Sequence, residues 1–137
     1  ILMLTRRLAE SGLSLSKEAV QELNELRDKL CSQAECAIAL LERYDDDMQI
    51  RAEVDKREIY GLVKRFEDTH ISRLRDRTCN ASSGVIFIEL LGEVEKISGR
   101  LSNIVERSLA ISQRSAVTAS PSVVRRAVPP QENGAQG

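Results

Sequence analysis

The 137 residues are 42% hydrophobic and 30% charged but only 3% aromatic, with no tryptophan. That length supports one modest core rather than two domains, and an apolar stock of Leu, Ile, Val and Ala suits helix seams better than sandwiches or barrels. A net charge of −1 supplies no field to draw in nucleic acid or an acidic membrane surface, so no nucleic-acid partner is expected.

Ile1 to Ala9 reads as the last turns of a helix, ended by Glu10, Ser11 and Gly12, and residues 1–12 are assigned to the end of a preceding helix with Gly12 as its stop. The opening stretch is too brief, and too basic at Arg6 and Arg7, for a signal peptide; without an initiating Met the chain reads as a piece of something longer. Ser14 or Ser16 then caps a helix with Glu18 in its first turn. Its apolar stripe is Val20, Leu23, Leu30, Ala34, Ile38, Leu41 and Tyr44.

Asp45, Asp46 and Asp47 mark a break, because three acids oppose the dipole at a helix C-terminus and suit it at an N-terminus. The rival reading is one helix from Ser16 to Thr78, on the order of 95 Å long, with little to bury its face against. A turn near Asp46 is therefore expected. The second helix carries Ile59, Leu62, Val63, Phe66, His70 and Leu74 on one face and ends in the loop-like run Thr78-Cys-Asn-Ala-Ser-Ser-Gly84.

Ser82 or Ser83 is expected to cap a third helix with the stripe Phe87, Leu90, Leu91, Val94, Ile97, Leu101, Ile104 and Val105. Short connections between consecutive helices imply antiparallel neighbours. The expected fold is all-α, an antiparallel three-helix bundle over residues 13–113. Residues 114–137 are expected to be a disordered tail, since they hold all three prolines and little periodicity, and Val123 to Val128 is read as part of it. No segment reaches the ~20 apolar residues of a membrane span.

Chemistry-bearing constellations are few. Cys31, Cys36 and Cys79 are odd in number and fit no zinc or redox spacing, so reduced thiols are expected. His70 is the single histidine and sits on an apolar stripe, which points to a structural role rather than catalysis or metal binding. Asp45 to Asp47 diverge around a helix and read as a solvated cap rather than a cation site. No enzyme activity and no cofactor are expected. On the third helix a second line, Ile88, Gly92, Glu95, Gly99, Ser102 and Glu106, recurs three and four residues apart. Two glycines inside a helix cost about 1 kcal/mol each relative to Ala; either another helix approaches closely over Gly92 and Gly99, or Glu95 marks a ligand surface.

From Thr69 to Val105 the order His70-Ile-Ser-Arg73-Leu74, a loop, Phe87-Ile-Glu-Leu-Leu91, Glu95-Lys-Ile-Ser-Gly-Arg100 and Asn103-Ile-Val resembles the PhoU-like cytoplasmic region of bacterial sodium/phosphate cotransporters. The upstream Gly12-Leu-Ser-Leu-Ser16 and Glu58-Ile-Tyr60 also fit, so the resemblance covers residues from about 10 to 110. It implies the second of two three-helix repeats, in a regulatory or accessory domain at the cytoplasmic face of the membrane. The partners implied are the transporter domain of the same chain or complex and a homo-oligomer. The alternatives are a soluble PhoU-type adaptor of phosphate signalling, or a generic helical oligomerisation module with Gly92 and Gly99 as contact points.

In that family, helices carry Glu-x-x-x-Asp pairs that hold metal ions. Here Glu95 and Glu58 are kept, but Gly99 and Tyr60 occupy the positions of expected acids and Arg100 that of a histidine, so metal binding of the family type is not expected. The interaction surface implied is Glu58, His70, Arg73, Gly92, Glu95, Gly99, Arg100 and Asn103.

Overall fold

The computed structural model describes residues 2–12, 14–77 and 80–119. The chain is all-α, with no strand among the described residues. It comprises a short α1 (Leu2–Ser11) and three long helices, α2 (Lys17–Glu42), α3 (Asp46–Arg75) and α4 (Ala81–Ala119). Each long helix packs on both of the others in an up-down-up bundle, and α1 lies against α4, where Arg7 Nη1 reaches Glu89 Oε2 at 2.7 Å.

Local chemistry sets the boundaries. Gly12 takes φ +63° and closes α1, a left-handed geometry that glycine adopts without steric penalty. Of the two candidate serines Ser16 is the cap: its Oγ accepts from the Ala19 N–H at 3.2 Å. The break before α3 falls at 43–45, with Asp45 Oδ1 accepting from the Met48 N–H at 3.0 Å and Asp46 and Asp47 in the first turn.

Two boundaries differ from expectation. α4 is capped by Asn80 rather than Ser82 or Ser83, because Asn80 Oδ1 accepts from the N–H groups of Ser82 at 2.9 Å and Ser83 at 3.3 Å; Ser83 is instead buried inside the helix. α4 also runs on to Ala119, so residues 114–119, assigned to the tail, are helical. The rest of that tail, 120–137, lies outside the described residues, as does Cys79.

The stripe expected on α2 is corrected as well. Its buried line is Ala19, Leu26, Gln33, Cys36, Ala37 and Leu40, with Leu23 and Leu30 packed beside it. Val20, Ile38 and Leu41 are 45%, 60% and 64% exposed. The stripes on α3 and α4 match their buried residues closely: Ile59, Val63, Phe66 and His70 on one, Phe87, Leu90, Leu91, Val94 and Val105 on the other.

The core has two apolar clusters. One gathers Leu26, Ile59, Val63, Phe66, Phe87, Leu91 and Val94; the other gathers Cys36, Ala37, Leu40, Ala52 and Val105. Buried Gln33, Asp55, Ser98 and Ser102 fall between them in sequence on all three helices and form a polar layer across the bundle. No helix among the described residues is long and apolar enough to cross a membrane.

Candidate functional site

Outside the core, α3 and α4 diverge into a groove open to solvent. Ala52, Glu53, Lys56, Arg57 and Tyr60 line it from α3, and Glu95, Ser98, Gly99, Ser102, Val105 and Glu106 from α4. It consists of two adjoining depressions of about 290 and 480 Å³, which share Lys56 and Arg57. The α4 wall is the second line of that helix, so residues three and four apart stack on one side as helix geometry requires.

Among the described residues no other helix covers Gly99 of this wall or Gly92, earlier on the same line. Beyond the adjacent backbone of α4 itself, a Cβ built on Gly92 or on Gly99 meets no heavy atom of the described residues within 4 Å. The groove therefore has room over its backbone, and a close helix neighbour there would have to come from outside the described residues. Its floor is polar. Ser102 Oγ donates to the Ser98 carbonyl at 3.1 Å, and Gln33 Nε2 reaches across from α2 to the same carbonyl and to Ser102 Oγ, both at 3.2 Å. Gln33 Oε1, Ser98 Oγ and Asp55 Oδ2 are buried without a protein hydrogen-bond partner among the described residues. Leaving such an atom unmatched costs roughly 1–3 kcal/mol; of the three residues only Ser98 lines the groove, while Gln33 and Asp55 lie beneath it in the core.

The walls differ in net charge, since Glu53 on α3 offsets one of the two cations there. Lys56 and Arg57 stand on α3, whereas Glu95 and Glu106 stand on α4. One turn beyond Tyr60, Lys64 lies over the Tyr60 ring at 5.6 Å and bonds Glu67 at 3.0 Å. That bond holds the Lys64 ammonium above its ordinary pKa, with Glu95 adding a smaller push in the same direction.

Of the eight residues expected on one surface, the groove brings together Glu95 and Gly99, with Gly92 on the same line of α4. Arg100 and Asn103 are exposed and follow the groove-lining positions around the helix. Glu58 belongs to the α2–α3 edge, bonded to Lys29, which also stands 3.8 Å from Asp55.

His70 and Arg73 sit near the other end of the bundle. His70 is 1% exposed and its ring lies 4.8 Å from that of Phe87; Arg73 bonds Glu22 at 2.7 Å. Burial pushes the His70 pKa down, the Arg73 charge adds to this, and Glu22 opposes both. Gly84 explains how α4 passes so close: a Cβ there would stand 2.6 Å from His70 Nε2 and 3.0 Å from Leu74 Cδ2.

Lys56, Arg57 and the polar layer as a unit were not singled out in the sequence, which marked only Ser102 of that layer, on the second line of α4. The layer had a signal in the seven-residue series Leu26–Gln33–Leu40 and Leu91–Ser98–Val105, where one polar residue interrupts a buried line. Among the described residues no group of three or more His, Cys, Asp or Glu is placed to hold a metal ion. Cys31 is exposed and Cys36 buried, both as free thiols, and burial raises the Cys36 pKa. No protein-family model, characterised protein or solved structure matches the chain.

Proposed function

We propose that this chain is a non-catalytic helical docking domain. More specifically, it is the cytoplasmic regulatory bundle of a PhoU-like, sodium-dependent phosphate transporter, which engages the membrane part of the same chain or complex through the α3–α4 groove. The observation that carries the docking role is the open space over Gly92 and Gly99. Glycine lowers helix stability by about 1 kcal/mol per position relative to Ala, and nothing in the bundle requires its absence of a side chain at these two sites. A partner helix lying close to the α4 backbone requires it, as small residues generally allow close helix approach. The difference in net charge between the walls, with Glu53, Lys56 and Arg57 on α3 against Glu95 and Glu106 on α4, would favour one direction of that helix.

The transporter context rests on the resemblance of residues 10 to 110, with their ordered motifs. Gly99→Leu in the full-length protein tests the reading. Its Cβ meets no neighbouring element and the rest of the side chain enters the groove, so helicity should be kept while phosphate uptake, or its response to phosphate supply, changes. Deletion of residues 14–113 should change the same control. Unaltered uptake and control in both variants would remove the regulatory role. Retained control in Gly99→Leu alone, with loss in the deletion, would move the contact away from the groove.

A further inference from the structure

The opposite edge of α4 carries a second surface of different character. α2 meets α3 through Glu22, Glu25, Lys29 and Ser32, which contact Arg73, Arg65, Glu58 and Arg51. At about 100° per residue, Ile38 lies about 180° around α2 from Lys29, on the edge away from α3. On α4, Ile104 and Ile111 lie about 180° from the groove residues Glu95 and Ser102 by the same count.

Ala34, Ile38 and Leu41 of α2 and Ile97, Ile104 and Ile111 of α4 thus form one apolar face over the α2–α4 seam. Ile38, Leu41 and Ile111 are 60%, 64% and 63% exposed, and the other three are half-buried. Large aliphatic side chains left in water on one continuous face mark an interaction surface. α1 lies against α4 near Glu89, below the level of these residues.

Charge identifies the occupant. Glu35 and Glu42, seven residues apart and exposed, run along the α2 border of the face; Arg100 and Arg107, also seven apart and exposed, run along α4. None of the four takes part in an ion pair among the described residues. The Gln33 bonds to Ser98 and Ser102 set the relative height of the two parallel helices. On that register Glu35 and Glu42 stand within about two residues, about 3 Å, of the heights of Arg100 and Arg107.

A face with an acidic border on one side and a basic border on the other, matched in height, is complementary to itself under one operation. A two-fold axis parallel to the bundle lays each acidic border on the partner's basic border. An axis across the bundle lays acid on acid. We infer that a second copy of this chain occupies the α2–α4 face, as a parallel, isologous dimer whose apolar centre is rimmed by Glu35 and Glu42 of each copy against Arg100 and Arg107 of the other. This contact is separate from the α3–α4 groove and does not depend on the transporter reading.

Sedimentation velocity of the 137-residue chain over a concentration series tests the inference. The wild-type chain should dimerise, and Ile38→Lys, at a 60% exposed position, should raise the dissociation constant at least tenfold with helicity unchanged. The chain with Glu35→Arg and Glu42→Arg, and the chain with Arg100→Glu and Arg107→Glu, should each be monomeric alone. Mixed in equal amounts they should form a heterodimer, since both borders are then again opposite in sign, and all four substitutions in one chain should restore the homodimer. Gly99→Leu should leave the dimer intact. A wild-type chain that stays monomeric, a dimer that survives both charge reversals, a mixture that does not associate, or a dimer broken by Gly99→Leu would each overturn the inference.

Discussion

Three glycines of α4 receive opposite forecasts from the same substitution. In a helix interior Gly→Ala gains about 0.8–1 kcal/mol, because alanine has less backbone freedom to lose on folding. Beyond the adjacent backbone of α4 itself, a Cβ added at Gly92 or Gly99 has no heavy atom of the described residues within 4 Å, so Gly92→Ala and Gly99→Ala should each raise stability by about that amount.

Gly84 is different, because its Cβ would stand 2.6 Å from His70 Nε2 and 3.0 Å from Leu74 Cδ2. The imidazole has no free direction in which to retreat: it is 1% exposed, with the Phe87 ring centroid 4.8 Å away. Overpacking of this kind costs about 1–3 kcal/mol. Gly84 lies in the first turn, where helix propensity offsets less, so Gly84→Ala should lose about 1–2 kcal/mol. The spread between Gly84→Ala and Gly99→Ala is then about 2–3 kcal/mol, or roughly 10 °C in Tm.

Urea titrations and thermal melts should be run at one protein concentration, since self-association adds to apparent stability. A Gly84→Ala chain at or above wild-type stability, or a Gly99→Ala chain below it, would refute this account of the α3–α4 packing.

The polar layer and the buried histidine support two further predictions. Gln33→Met should change stability by less than about 1 kcal/mol, because the lost hydrogen bonds are offset by removal of the unmatched Oε1 and Ser102 keeps its bond to the Ser98 carbonyl; Gln33→Ala leaves a cavity and should lose about 2–4 kcal/mol in urea titration. Burial, then the Arg73 charge, lowers the His70 pKa in the fold, so the unfolded chain takes up this proton at a higher pH than the folded one. The stability that the neutral ring contributes is complete above the unfolded value of about 6.5 and is lost as pH falls from there toward the lowered folded value. Urea midpoints between pH 7.5 and 5 should therefore fall more steeply in the wild type than in His70→Gln, and equal slopes would assign that pH dependence to other groups.

The helices and most of their ends were legible because each rests on a short-range rule: Gly12 at a left-handed stop, Ser16 as a cap, a run of aspartates at a helix start. Asn80 was harder to read. In Asn80-Ala-Ser-Ser three residues are competent to cap, and the choice depends on where the backbone turns helical rather than on side-chain type. The α2 stripe misled for a related reason. That helix has two apolar lines of nearly equal periodicity, one with Ala19, Leu26, Gln33, Ala37 and Leu40 and one with Val20, Ala34, Ile38 and Leu41. Hydropathy favours the second, since the first contains a glutamine and two alanines. The bundle buries the first because α3 and α4 reach it together, with Glu22, Glu25 and Lys29 anchoring the α3 side.

The candidate site was half legible for the same physical reason. Periodicity on α4 reveals which residues share a line, so Gly92, Glu95, Gly99 and Ser102 emerged as one surface, but it carries no information about what stands opposite. The cations and Tyr60 across the groove come from α3, just beyond the Asp55 of the polar layer, and only the packing angle of α3 on α4 joins them to Glu95. His70 and Arg73 are joined to Glu95 by motif order in the sequence but not by the fold, because Gly84, which meets His70, precedes Gly99 by fifteen residues, about 22 Å along the helix. α4 therefore carries three lines with three neighbours. An aliphatic line faces the core, a glycine- and serine-containing line faces the open groove with α3, and an isoleucine line borders α2. A helix inside a complete bundle needs only the first of these, and the composition of the other two, one with backbone laid bare and one with exposed isoleucines between charged borders, is what the proposed docking role rests on.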